Sequence, residues 1–189
     1  MDVREGGGDA ELLTRLKAGE DDALSLLMAR HEQRLYRIAC GYLRNSEDAL
    51  EVVQDAFVRL HQQRDRIDAR AEVGAWLTRV AINAAIDRYR QKKRRATREV
   101  DLEDDRLHQV RDVSGASPAD GLGLRDARKA IERGLQALNE RQRAVVTLRH
   151  FSDLPLDEIA STLGVRLGTV KSSLNRALSR MKSAMEEPA

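Results

Sequence analysis

Apolar residues return every three or four positions through the first half of the chain. Leu12, Leu13 and Leu16 open the pattern, and Gly19 with Glu20, Asp21 and Asp22 interrupts it. Leu24, Leu27, His31, Leu35, Ile38, Ala39 and Tyr42 then recur near a 3.6-residue period, which predicts an amphipathic helix. Asn45 and Ser46 are candidate caps for the next helix, with Glu47 and Asp48 placing negative charge in its first turn. That helix carries Ala49, Val52, Val53, Ala56, Phe57 and Leu60 on one face. An irregular stretch, Asp68 to Val73, precedes a fourth helix expected from about Gly74 to Lys93. Its buried face is expected to be Trp76, Leu77, Val80 and Ala84, with Asp87 or Arg88 at the edge.

The charge then changes sign abruptly. Arg88, Arg90, Lys92, Lys93, Arg94, Arg95 and Arg98 form a basic run, and Glu99, Asp101, Glu103, Asp104, Asp105, Asp112 and Asp120 follow it. With Ser114, Gly115, Ser117, Pro118, Gly121 and Gly123 this stretch shows no sustained period and reads as a linker. Roughly 25 extended residues could span about 80–90 Å. Beyond it, Ala127, Ile131, Leu135 and Leu138 mark one helix. Asn139 is a plausible cap for a second, carrying Val145, Leu148 and Phe151. Leu156 to Leu163 and Gly168 to Met185 are two more, separated by a turn at Gly164. The expectation is therefore an all-α chain of two small helical domains, residues 9–98 and 125–186. A disordered start, 1–8, precedes them, and an acidic flexible linker, 99–124, joins them.

Composition narrows the chemistry. Charged residues make up 34% of 189 residues and aromatics 3%, which suits a helical fold. The net charge is only +2, so the segregation of charge says more than its sum. A single cysteine, Cys40, excludes an internal disulfide framework, and its apolar-periodic position predicts a buried small side chain. No run approaches the ~20 apolar residues that span a bilayer, and from the polar, glycine-rich start no signal peptide and a cytoplasmic location are expected. His31, His61, His108 and His150 are scattered without metal-ligand spacing or a nucleophile–base pair, so no metal, cofactor or enzymatic activity is expected. Asp101 to Asp105 lack the glycine and spaced glutamate of a calcium loop.

Leu156 to Val165, followed by Thr169 to Leu174, has helix-turn-helix spacing. Ala160 is small where the two helices cross, and Gly164 can take the positive φ of the tight turn. Ile159, Leu163, Val165, Val170 and Leu174 form the expected shared core. Lys171, Ser172, Asn175, Arg176 and Ser179 fall on the other face of the second helix, with Arg180 and Lys182 beyond. Such a helix fits the major groove, where Asn and Arg read base edges and Lys and Ser hold phosphates.

Three stretches, in order, resemble a known family. Asp48-Ala49-Leu50-Glu51-Val52-Val53-Gln54-Asp55-Ala56-Phe57-Val58-Arg59-Leu60 resembles the segment by which bacterial sigma factors dock on the RNA polymerase clamp. Ala75-Trp76-Leu77-Thr78-Arg79-Val80-Ala81-Ile82-Asn83 and onward to Arg90 resembles the helix that engages and melts the −10 element. Ala137 to Val146, with the helix-turn-helix, resembles the domain that binds the −35 element. The short chain and bare linker are similar to the extracytoplasmic-function group. The resemblance implies a polymerase-docking set of Asp48, Glu51, Gln54, Asp55 and Phe57. It implies a −10 set of Asp68, Arg70, Trp76, Arg79, Asn83, Arg88, Arg90, Lys92, Lys93 and Arg94, with the Asp68–Val73 loop and Asn83 forming the pocket for an unstacked base. It implies a −35 set of Arg166, Thr169, Lys171, Ser172, Ser173, Asn175, Arg176 and Arg180. Implied partners are core RNA polymerase, promoter DNA (double-stranded at −35, single-stranded at −10) and an anti-sigma factor.

Three positions depart from the family pattern. Arg166 stands where a capping Ser is common, Ser173 where an Arg is common, and Pro155 where a Ser usually precedes the helix. The −35 sequence preference does not follow from these residues. By spacing alone, Asp48, Glu51, Gln54 and Asp55 form an acidic helix stripe, and Trp76 suits either core or a stacking platform. A stand-alone helix-turn-helix regulator is the alternative that the second block would allow; it leaves the first block unexplained. The linker residues Asp101, Asp104 and Asp105 are expected to screen the basic helix in the free protein.

Overall fold

The computed structural model describes residues 7–68, 72–99 and 122–186, with side chains over 7–68, 72–95 and 129–186. Arg70 and most of the expected linker lie outside them. Among the described residues the chain is all-α, with eight α-helices and no strand, in two compact units. The first contains α1 (Asp9–Lys17), α2 (Asp21–Leu43), α3 (Ser46–Gln63), a 3₁₀ turn (Arg64–Arg66) and α4 (Val73–Glu99). The second contains α5 (Leu122–Gln136), α6 (Glu140–Phe151), α7 (Leu156–Leu163) and α8 (Leu167–Glu186).

In the first unit, α2, α3 and α4 pack on one another and α1 closes one side. Leu12, Leu13 and Leu16 of α1 meet Leu27 and Leu35 of α2, Val52, Ala56 and Leu60 of α3, and Leu77 and Ala81 of α4 in one core. The rings of Tyr42 and Tyr89 meet edge-on at 5.8 Å between centroids, an arrangement that suits the aromatic quadrupole. Cys40 is buried in this core. The α2–α3 join follows the cap expectation: Asn45 is the N-cap and its side chain accepts from the Asp48 amide at 2.9 Å.

The fourth helix differs from expectation in length and face. It runs to Glu99, because Arg, Lys and Gln are good helix formers and a change in charge sign does not stop a helix. Its buried side is Val73, Leu77, Thr78, Ala81, Ile82 and Ala85, while Trp76, Val80 and Ala84 sit half-buried at the rim of the core. Lying between α2 and α3 rather than on one neighbour turns the buried stripe away from Trp76.

Asp9, in the first turn of α1, ties that helix to α2. Its carboxylate accepts from Arg30 and from His31, each at 2.7 Å, and Arg30 also donates to the Gly7 carbonyl at 2.9 Å. His31 in turn lies so close to α4 that a Cβ at Gly74 would come within 3.0 Å of its ring, so the glycine permits the approach. Burial pushes the Asp9 carboxyl up, but hydrogen bonds and charge from Arg30 and His31 outweigh it and hold the group below its ordinary value. A depressed carboxylate adds stability above its unfolded pKa and loses it as pH falls through the folded value.

Asp9→Asn should therefore destabilise the first unit by about 1–2 kcal/mol at pH 7, given partly exposed charged hydrogen bonds. The difference from wild type should shrink as pH drops below 3.8, the ordinary value for this group. Denaturant unfolding followed by tryptophan fluorescence checks it, since the chain's one tryptophan, Trp76, lies in this unit.

Candidate polymerase-docking and nucleic-acid faces

The surface of α3 is polar along one line and apolar in two places. Glu51, Gln54 and Asp55 are exposed, and Asp48 is half-buried at the start of the helix. Phe57 is 3% exposed and belongs to the core, where the 3.6 period puts it in phase with Val53 and Leu60. The exposed apolar residues are instead Leu50 and Val58, at 53% and 52%. With Gln54 they stand at i, i+4 and i+8, on one face of the helix. Sequence reading missed both, although each is an apolar residue out of phase with the core set.

On α4 the expected −10 residues divide between two sides. At about 100° per residue, Trp76, Arg79, Asn83, Arg90 and Arg94 fall in one stripe. Arg79, Asn83, Arg90 and Arg94 are exposed and Trp76 half-buried. Arg88 and Lys92 fall on the opposite side. They continue the spacing of Leu77, Ala81 and Ala85 beyond the end of the apolar core, over the first turns of α3. There Lys92 donates to the Asp48 carboxylate and Arg88 to the Glu51 carboxylate. Arg88 also donates to the Asp48 carbonyl at 3.3 Å. Lys93 is exposed on the flank, and Asp68 is exposed at the start of the loop before α4.

The second unit builds its surface on α8. Asn139 caps α6 in a reciprocal box with Gln142: its side chain accepts from the Gln142 amide at 2.9 Å and its own amide donates to Gln142 Oε1 at 3.2 Å. Buried Arg143 donates to the Leu135 carbonyl at 2.8 Å, placing a cation at the C-terminal end of α5. Gly164 ends α7 at φ +64°, and Val165 donates its amide to the Ala160 carbonyl at 3.0 Å, closing the turn. Ile159, Ala160 and Val170 are buried at the crossing, with Leu163, Val165 and Leu174 half-buried around them.

Arg166, Lys171, Asn175, Arg176 and Arg180 are exposed, and Thr169 and Ser172 are half-buried. Ser173, of the expected −35 set, is 7% exposed and faces the core side of α8 near Val170 and Ala177. Its helical phase, three residues after Val170 and four before Ala177, explains the burial. Arg180 reaches Gln142 Oε1 at 3.3 Å, a tie between α8 and the α6 cap that spacing along α8 could not show.

Comparison with known proteins identifies these units. Residues 27–95 match the family model of sigma-70 region 2, and residues 128–181 match that of sigma-70 region 4. The chain is 35% identical over 178 residues to the ECF RNA polymerase sigma factor SigM of Mycobacterium tuberculosis, covering 94% of this chain and 85% of that one. This chain belongs to the extracytoplasmic-function sigma factors. It is also 25% identical to the ECF sigma factor SigW of Bacillus subtilis, over 93% of this chain and 95% of that protein. Among solved structures it resembles CnrH in complex with the cytosolic domain of CnrY, at TM-score 0.69 and 25% identity, covering 96% of this chain and 99% of CnrH. It shares the fold of the sigma factor RpoE solved with the anti-sigma factor NepR from Bartonella quintana, at TM-score 0.64 and 20% identity, covering 87% and 98% of the two chains. The region 2 match falls on the first unit and removes the ground for a stand-alone regulator. Among the described residues no helix is long and apolar enough to cross a membrane, and no cluster of three metal-ligating side chains forms.

The turn of the sigma factor's helix-turn-helix gives a direct check. A Cβ at Gly164 would touch nothing within 4 Å, so Gly164→Ala meets only the backbone cost of the left-handed conformation. It should destabilise the second unit by about 1 kcal/mol, and Gly164→Asn by less, by thermal unfolding followed by circular dichroism.

Proposed function

We propose that the two units divide promoter recognition between them. Residues 9–98 act as the domain that docks core RNA polymerase and opens the −10 element, and 125–186 as the domain that binds −35, with 99–124 as the tether. The docking face is the outer side of α3: Leu50, Glu51, Gln54, Asp55 and Val58. Two apolar anchors amid acidic and amide groups suit a partner surface that is basic with an apolar centre.

The outward stripe of α4 carries the −10 role, with Arg79, Arg90 and Arg94 at phosphates and Asn83 at the unstacked base. Unstacking a base costs a few kcal/mol unless a pocket receives it; Asn83 offers an exposed amide on this helix, with Arg79 one turn before it and the Asp87–Arg90 ion pair after it. On α8, Lys171, Asn175, Arg176 and Arg180 face solvent together, with Arg166, Thr169 and Ser172 at the entry end, and fit the major groove. The observation that carries the division is that each unit matches a different sigma region and exposes a different polar helix face.

The protein acts in the cytoplasm with the polymerase, and its own chain contributes binding and strand separation rather than covalent chemistry. A regulatory protein that covers the docking faces, an anti-sigma factor, completes the set of partners; the complex of the similar CnrH with the cytosolic domain of CnrY supports it. The test is transcription by bacterial core polymerase on fragmented host DNA, with and without the protein. Discrete protein-dependent starts are expected, and Val58→Glu should lower them about tenfold or more while leaving stability within about 0.5 kcal/mol. Folded, DNA-binding protein that directs no starts would overturn the assignment.

A further inference from the structure

Arg88 and Lys92 sit on a helix assigned to DNA, yet they point away from its exposed stripe and toward α3. Lys92 pairs with the Asp48 carboxylate, and Arg88 pairs with Glu51 while its Nε lies 3.9 Å from Asp48 Oδ1. The two partners differ in weight. Glu51 is an exposed side chain, so its pair is screened by water and salt. Asp48 has a side chain only 13% exposed, and it lies in the first turn of α3, where the aligned amides favour negative charge. Removing a cation from it would leave a largely covered carboxylate short of a partner, which is costly. A DNA phosphate recruiting Lys92 or Arg88 must therefore compete with a carboxylate that is already well placed.

We propose that Asp48 is a positioning residue of the DNA-binding face: it holds Lys92 and Arg88 in ion pairs, so the free chain meets DNA phosphates without these two cations. The inference rests on the assignment of α4 to the −10 element. It also relocates the screening expected of the linker: Asp101, Asp104 and Asp105 lie outside the described residues, whereas α3 supplies carboxylates from within the same unit. Asp48 thus acts less as a docking residue than as a restraint on its neighbours.

The test uses the full chain and a short single-stranded DNA of mixed sequence, without polymerase, titrated across a range of salt concentrations. Each phosphate neutralised on a single strand contributes about 0.7 to the slope of log affinity against log salt. Asp48→Asn should bind more tightly at low salt, with a slope steeper by about 0.7–1.4 as one or two cations are released. Lys92→Met should leave the slope unchanged in the wild-type background and remove about 0.7 of it in the Asp48→Asn background. The N-cap bond of α3 uses the backbone amide of residue 48 and survives the substitution, and circular dichroism with Trp76 fluorescence checks folding.

A wild-type slope that already falls on Lys92→Met would overturn the inference, and that comparison does not depend on any Asp48 variant folding. So would an Asp48→Asn chain with the affinity and slope of wild type. Failure of the sigma-factor assignment shows separately, as absent promoter-dependent starts with core polymerase, whatever the salt slopes.

Discussion

The first unit depends on how one face of α4 changes character along its length. The stripe that buries Val73, Leu77, Ala81 and Ala85 does not end when the core ends; it continues as Arg88 and Lys92. Both cations keep part of their side chains in water, 27% for Arg88 and 43% for Lys92, and both turn toward carboxylates on the neighbouring helix. Asp48 and Glu51 supply these carboxylates from the start of α3. The same contact fixes the basic end of α4 against α3, and it fixes which cations remain on the outward stripe. Fold and function meet in this contact.

The second unit solves the equivalent problem with backbone geometry. Its recognition helix is set by a glycine in the left-handed region, a small residue at the crossing and a reciprocal cap on α6. Charge enters where it neutralises backbone dipoles, as with buried Arg143 at the end of α5, leaving Lys171, Arg176 and Arg180 at the surface. In the proposed division of labour, two DNA contacts on one chain reinforce each other through effective concentration, so neither unit would need high affinity alone.

Most of the architecture was legible in the sequence, since it rests on local periodicity and short-range capping. The eight helices, the caps at Asn45 and Asn139, the turn at Gly164 and the burial of Cys40 all follow from residues a few positions apart. What escaped needed knowledge of the neighbours. Phe57 and Ser173 belong to the docking and −35 sets by family resemblance, and the phase of their own helices buries both. Leu50 and Val58 were overlooked because an apolar residue attracts notice only once its partners are known to lie elsewhere. The pairing of Arg88 and Lys92 with α3 is a contact across about 40 positions, and no spacing within either helix reveals it.

The charges of α3 and α4 are coupled in the protein before any partner arrives. A double-mutant cycle on Asp48→Asn and Lys92→Met, read by denaturant unfolding through Trp76 fluorescence at low and high salt, measures that coupling. An interaction of about 0.5–1 kcal/mol is expected at low salt, weakening as salt is added. Substitutions whose effects simply add, to within a few tenths of a kcal/mol at low salt, would contradict it.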